Sequence, residues 1–126
     1  MAEIRLDQVT KSWGAERAVD GVSFSAEAGS LVVLLGPSGC GKSTTLRLIA
    51  GLETADSGLI EIAGRDVTHV PPAGRGTAMV FQSYALFPHL DVAENILFGL
   101  KVRRVDAADR AARLERFWTD QILYRL

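Results

Sequence analysis

The sequence predicts an α/β fold, and three neighbouring features carry that prediction. Leu31–Leu35 is an unbroken apolar run, a glycine-rich stretch from Gly36 to Gly41 follows at once, and Leu46, Leu48, Ile49 and Ala50 then recur at helical spacing up to Gly51. A short apolar run between glycines is too brief for a helix and suits a strand covered on both faces, as in a parallel sheet. Strand, loop and helix in that order, with more strands on either side, is the pattern of the α/β class.

The remaining elements follow along the chain. Ile4 to Val9 reads as a short strand with Ile4 and Leu6 on one side, and Val22 and Phe24 mark a second strand after the turn signal Asp20-Gly21. Gly29-Ser30 introduces the apolar run. Leu59–Ile62 and Thr77–Phe81 read as further strands, separated by turn material at Gly64-Arg65-Asp66 and Pro71–Gly76. Asp91-Val92-Ala93-Glu94 has the form of a capping box and opens a short helix through Leu97. Asp106 is placed to cap another helix, whose Ala107, Ala108, Ala111, Ala112 and Leu114 form a small-residue apolar side.

Composition narrows the class. With 48% apolar and 23% charged residues among 126, the chain fits one soluble globular domain rather than a disordered or collagen-like one. The longest apolar run falls far short of the ~20 residues a membrane span needs, and no basic start leads into an apolar stretch, so neither a span nor a secretory signal is expected. Cys40 is the single cysteine, which excludes an internal disulfide and points to a cytoplasmic-type protein. The net charge of −1 is uneven, because residues 101–126 hold 7 Lys/Arg against 4 Asp/Glu. Without aromatic interleaving or a long basic run this is a solvated helix face, and no nucleic-acid partner is expected.

The chemistry lies in Gly36-Pro37-Ser38-Gly39-Cys40-Gly41-Lys42-Ser43-Thr44, a full match to G-x-x-x-x-G-K-[ST] between a predicted strand and a predicted helix. Gly36, Gly39 and Gly41 let the backbone curl with its N–H groups inward, where a Cβ would obstruct. The helix that follows aims its positive dipole end at the same point. Lys42 supplies a mobile ammonium for the β- and γ-phosphates, and the Ser43 hydroxyl is an oxygen ligand for Mg²⁺. A dinucleotide site fits less well, since Thr44 stands at the third small position and Lys42 lies inside the turn. Cys40 places a thiol in this loop, so its alkylation is expected to block ligand, while no neighbouring histidine suggests a catalytic role. His69 and His89 read as ordinary loop residues without a metal-ligand pattern around them.

Several further motifs stand in order around the loop: Val9-Thr10-Lys11-Ser12-Trp13-Gly14, Thr45-Leu46, Ile49-Ala50-Gly51-Leu52-Glu53, Ser57-Gly58, Gly64, Val80-Phe81-Gln82-Ser83-Tyr84-Ala85-Leu86-Phe87-Pro88-His89-Leu90 and Asp91-Val92-Ala93-Glu94-Asn95-Ile96. With the loop, they resemble the ATP-binding subunit of ABC transporters, most closely the sugar and glycerol-phosphate importer type, from residue 3 to about residue 116. The resemblance implies ATP and Mg²⁺ as ligands. It implies that Trp13 stacks the adenine with Val19 at the base edge, that residues 36–44 hold the phosphates, and that Gln82 is the Q-loop glutamine serving metal and attacking water. Ser43 and Gln82 are then the metal ligands. It also implies membrane subunits and a second ATP-binding subunit as partners, and a cytoplasmic place on the inner face of the membrane.

The sequence contains none of the family's signature motif, second buried strand ending in Asp-Glu (Walker B), D-loop or switch histidine. The expected fold is therefore a P-loop NTPase-type core with an N-terminal antiparallel β portion, incomplete for want of the Walker B half. Residues 1–116 form the family-like part and 117–126 a divergent tail. No catalytic residue is assigned, and the chain alone is expected to bind Mg-ATP without hydrolysing it. It is also expected to be marginally stable and to self-associate through its unpartnered strand. The alternative is a stand-alone or inactive nucleotide-binding or interaction module with no transport role.

Overall fold

A computed structural model describes residues 4–122, which fall into two units, the first ending at Met79 and the second starting at Val80. The first unit is built on a four-stranded antiparallel sheet with β1 (Ile4–Trp13), β2 (Glu16–Ala26), β3 (Ser57–Ile62) and β4 (Arg65–Asp66) in the order β2-β1-β3-β4. Ile4, Arg5 and Leu6 pair with Ala26, Ser25 and Phe24 on one side and with Ile62, Glu61 and Ile60 on the other. Simple alternation would send Leu6 and Val9 to opposite faces, yet both are buried. A bulge reconciles them: Gln8 has φ 49°, the register shifts between Leu6 and Val9, and Ser23 Oγ accepts from the Gln8 backbone N–H at 2.8 Å. Gly58 (φ 94°) lies against this bulge, where a Cβ would stand 2.5 Å from the Gln8 carbonyl oxygen.

One helix of the first unit, α1 (Lys42–Ala50), closes the core. Leu48 and Ile49 join Leu6, Val9, Val19, Ala55, Ile60 and Val67 in a single apolar cluster. Gly51 (φ 80°) ends the helix in the left-handed conformation, and the Leu52 N–H returns to the Arg47 carbonyl at 2.9 Å. The last carbonyls of such a helix need outside donors. Arg75 supplies them from the loop after β4: its buried guanidinium donates to Leu48 O (2.7 Å), Ile49 O (3.1 Å), Thr68 O (3.2 Å) and Val70 O (2.7 Å). Burial pulls this guanidinium below its ordinary pKa.

Three expectations are corrected. Asp20-Gly21 is not the hairpin turn; both residues lie inside β2, and the chain reverses at Gly14-Ala15. The positive φ of Gly21 (57°) serves an irregular stretch of the ladder, where its N–H bonds Thr10 Oγ1 at 3.1 Å. Leu31–Leu35 forms no strand, and Leu31 and Leu35 are 90% and 88% exposed. Thr77–Phe81 likewise forms none, with Val80 at 86%. A strand is held by its ladder, and neither run has a ladder partner among the described residues. Apolar composition alone therefore left both runs outside the sheet.

In the second unit, α2 (Val92–Val102) runs past Leu97 and carries the expected capping box: Glu94 N–H donates to Asp91 Oδ1 at 2.7 Å and Asp91 N–H to Glu94 Oε2 at 3.1 Å. Asn95 stitches the preceding loop to this helix, accepting from Phe87 N–H at 2.9 Å and donating to Leu90 O at 3.1 Å and Asp91 O at 2.9 Å. The Phe87 and Phe98 rings lie 4.3 Å apart. Asp106 Oδ2 accepts from the Ala108 N–H at 3.0 Å at the start of α3 (Ala107–Ile122), which continues without a break through Phe117 and Trp118. The last four residues of the proposed tail lie outside the described residues.

Candidate functional site

The glycine loop is shaped by what stands behind it. Gly39 (φ 78°) and Gly41 (φ 92°) are left-handed on either side of Cys40, an alternation that turns successive N–H groups to one side of the loop. Gly41 also lies so close to the Ala18 carbonyl oxygen of β2 that a Cβ there would overlap it. At Gly36 a Cβ would stand 2.5 Å from Cys40 Sγ. The loop therefore requires glycine at Gly41 for steric reasons as well as for its backbone angle, and at Gly39 for its backbone angle. Gly41 in turn opens α1, whose first residues are Lys42 and Ser43 and which has no side-chain N-cap. Its first-turn N–H groups include no side-chain acceptor, an arrangement suited to an anion.

Lys42 is folded into the loop. Its ammonium donates to Gly36 O at 2.5 Å and Pro37 O at 2.7 Å and approaches Cys40 Sγ at 3.4 Å. The cation is thus held by two backbone carbonyls of the loop, beside the exposed Cys40 thiol. Ser43 is exposed in the first turn, whereas Thr45 is turned back to bond Gly41 O at 2.8 Å. Thr44 is half-buried beside them. The donor set, one cation, curled backbone N–H groups and a free hydroxyl, suits a polyphosphate with a hard divalent cation.

Trp13 ends β1 at the hairpin turn, half-exposed at 50%, on the same hairpin whose Ala18 carbonyl supports Gly41. Lys11 Nζ stands over its ring, 5.8 Å from the centroid. Val19, expected at a base edge, is 3% exposed and belongs to the core cluster. Gln82 lies in the second unit, exposed, at the start of the turn that carries Tyr84 and Ala85 at positive φ. Among the described residues no group of three or more His, Cys, Asp or Glu that could hold a metal ion occurs.

Two residues near the site escape sequence reasoning. Nothing in Pro71–Gly76 signals that Arg75 closes the far end of the phosphate-loop helix. Lys11 had a signal, since a residue two positions before Trp13 in a strand shares its side.

Comparison with known proteins gives concordant results. The family described as ABC transporter matches residues 19–125. The sn-glycerol-3-phosphate import ATP-binding protein UgpC 2 of Agrobacterium fabrum is 55% identical over 91% of this chain and 31% of its own length. The diacetylchitobiose uptake system ATP-binding protein MsiK of Streptomyces coelicolor is 48% identical over 91% of this chain and 31% of its own. Among solved structures, an ATP-binding cassette in a dimeric post-hydrolysis state bound to ADP and phosphate superposes with a TM-score of 0.77 at 28% identity, over 90% of this chain and 54% of that one. A nucleotide-free cassette from an ABC transporter gives 0.56 at 37% identity over 58% of this chain and 29% of that one. The chain spans about a third of the length of the curated relatives it matches. Strand pairing, the glycine loop with its lysine and a family match over most of the sequence agree: this chain belongs to the ATP-binding family of ABC transporters.

Proposed function

We propose that this chain binds Mg-ATP as the N-terminal part of an importer ATPase subunit and does not turn it over by itself. The observation that carries the reading is Lys42, held by the Gly36 and Pro37 carbonyls in a loop whose Gly41 leaves no room for a Cβ. Residues 36–44 take the phosphates: Gly36, Gly39 and Gly41 through their freedom and close approach, Pro37, Ser38, Cys40 and Thr44 through backbone groups, Lys42 through charge. Ser43, exposed in the first turn, is the metal ligand of this unit, with Gln82 the second by resemblance. Trp13 provides the ring on which adenine stacks, a contact worth about 1–3 kcal/mol per base in nucleic-acid sites. When bound, Mg²⁺ supplies charge neutralisation between phosphates.

Hydrolysis needs a carboxylate to orient water and opposing groups for the charge that develops, and the sequence offers no Walker B glutamate or signature motif to provide them. The high identity to importer subunits supports uptake of a sugar-like or glycerol-phosphate-like solute as the process served. It also supports membrane subunits and a second ATP-binding subunit as partners, at the cytoplasmic face of the membrane. No helix among the described residues is long and apolar enough to cross a membrane.

Phosphate release from Mg-ATP, measured on the chain and on Lys42→Ala, tests the absence of turnover. The expected result is background release from both. Steady release by the parent, abolished in Lys42→Ala, contradicts it.

A further inference from the structure

Lys11 takes part in an ion cluster beside the end of β1. It lies on β1 beside irregular register on both sides, and such irregularities re-aim a side chain. Its ammonium is 3.5 Å from Asp56 Oδ1 and 3.9 Å from Glu53 Oε2, and the side chain is only 14% exposed. Asp56 is itself fixed to the end of β1: its other carboxylate oxygen accepts the Ser12 N–H at 2.7 Å, and its own N–H donates to Thr10 O at 2.9 Å. The same ammonium stands over the Trp13 ring, 5.8 Å from its centroid.

We propose that Lys11 is a positioning residue of the nucleotide site: its ammonium, anchored by Asp56 and Glu53, covers one face of Trp13 and leaves the opposite face for the purine. The inference rests on the reading of Trp13 as the base platform. A half-exposed indole on a hairpin tip otherwise offers both faces and several rotamers to a base. A cation over one face removes half of those choices, and its attraction to the ring quadrupole holds the indole in place before the base arrives. Positive charge behind the ring also favours stacking of an electron-rich purine in front of it.

The anchor has a second consequence. Glu53 and Asp56 belong to the turn that leaves α1, where the Leu52 N–H bonds Arg47 O at 2.9 Å. The turn after α1 and the strand that ends with Trp13 are therefore joined by the Asp56 hydrogen bonds to Thr10 and Ser12 and by the Lys11 ammonium. Lys11 adds a charged link between the base platform and the end of the phosphate helix.

The test is calorimetric binding of Mg-ATP and of Mg-tripolyphosphate, which has phosphates and no base, to the full chain and to Lys11→Met, Lys11→Arg and Trp13→Ala. Lys11→Met keeps the aliphatic stem and removes the charge. It is expected to weaken ATP by about fivefold, the size of an exposed cation–π contact, and to leave tripolyphosphate unchanged, with Lys11→Arg restoring ATP. Asp56→Asn, which frees the ammonium without removing it, is expected to give the same selective loss and serves if Lys11→Met does not fold. Equal ATP affinity in parent, Lys11→Met and Asp56→Asn, while Trp13→Ala weakens ATP, overturns the proposal alone. Equal loss of both ligands in the Lys11 variants overturns it as well. If Trp13→Ala leaves ATP affinity unchanged, the base platform itself is wrong and the proposal falls with it.

Discussion

Arg75 gives the most demanding prediction about the fold beneath the site. Substituting it by alanine removes donors from four carbonyls, two of them, Leu48 and Ile49, in the last turn of α1, where the helix supplies no partner. A hydrogen bond from a charged donor contributes about 1.5–3 kcal/mol, and four in one side chain do not add fully. Against their loss stands the cost of burying a guanidinium that is 5% exposed in the fold, which the alanine variant no longer bears. The side chain also props Gly51, whose missing Cβ would stand 2.5 Å from Arg75 Nε, so its removal leaves a void under the helix end. The balance is a loss of about 3 kcal/mol for Arg75→Ala, with stranded buried carbonyls as the dominant cause. Arg75→Lys keeps a charge without the planar fork and is expected to recover about half of it. Urea unfolding followed by circular dichroism measures both, and for a domain of this size the midpoint is expected to fall by about 1–2 M. A loss below about 1 kcal/mol for Arg75→Ala would show that the four carbonyls find other partners and that Arg75 does not secure the helix.

Four further outcomes are expected. Leu48→Ala, at a fully buried core position, is expected to destabilise by about 2–5 kcal/mol in the same unfolding experiment. Gly41→Ala is expected to abolish ATP binding in a filter or calorimetric assay, because its Cβ overlaps the Ala18 carbonyl. The Thr68 hydroxyl and backbone N–H hold the Asp66 carboxyl below its usual range. A lowered folded-state pKa stabilises above the unfolded value and is lost as pH falls through the folded one, so the acid limb of stability below about pH 4 is expected to flatten in Asp66→Asn. The exposed Leu31, Val33 and Leu35 are expected to drive self-association, and light scattering after size exclusion is expected to show Val33→Lys shifted toward monomer.

What was legible in the sequence was what local chemistry determines. The glycine spacing and Lys42 specify the phosphate loop without help from distant residues, and the Asp91/Glu94 capping box and Asp106 cap appear as read because each satisfies backbone groups within its own turn. Gly51 ends α1 for the same reason. What failed depended on partners far along the chain. Leu31–Leu35 has the composition of a buried strand, but strand identity lies in a ladder that no described residue supplies. Gly21 carries a turn residue's freedom into a strand irregularity, since only its neighbour across β1 decides which use it has. Arg75 and Lys11 act across 27 and 45 residues, through Leu48 and Asp56, and no local pattern announces either contact.

The central claim is that residues 36–44 bind a nucleoside triphosphate through Lys42. Calorimetric titration of the 126-residue chain with Mg-ATP, repeated on Lys42→Ala after confirming that both are folded, tests it most directly. Saturable binding to one site is expected in the parent, with at least about a tenfold loss in the variant, the effect of about 1.4 kcal/mol at the phosphates. No heat of binding from the folded parent, or equal affinity in Lys42→Ala, would contradict it.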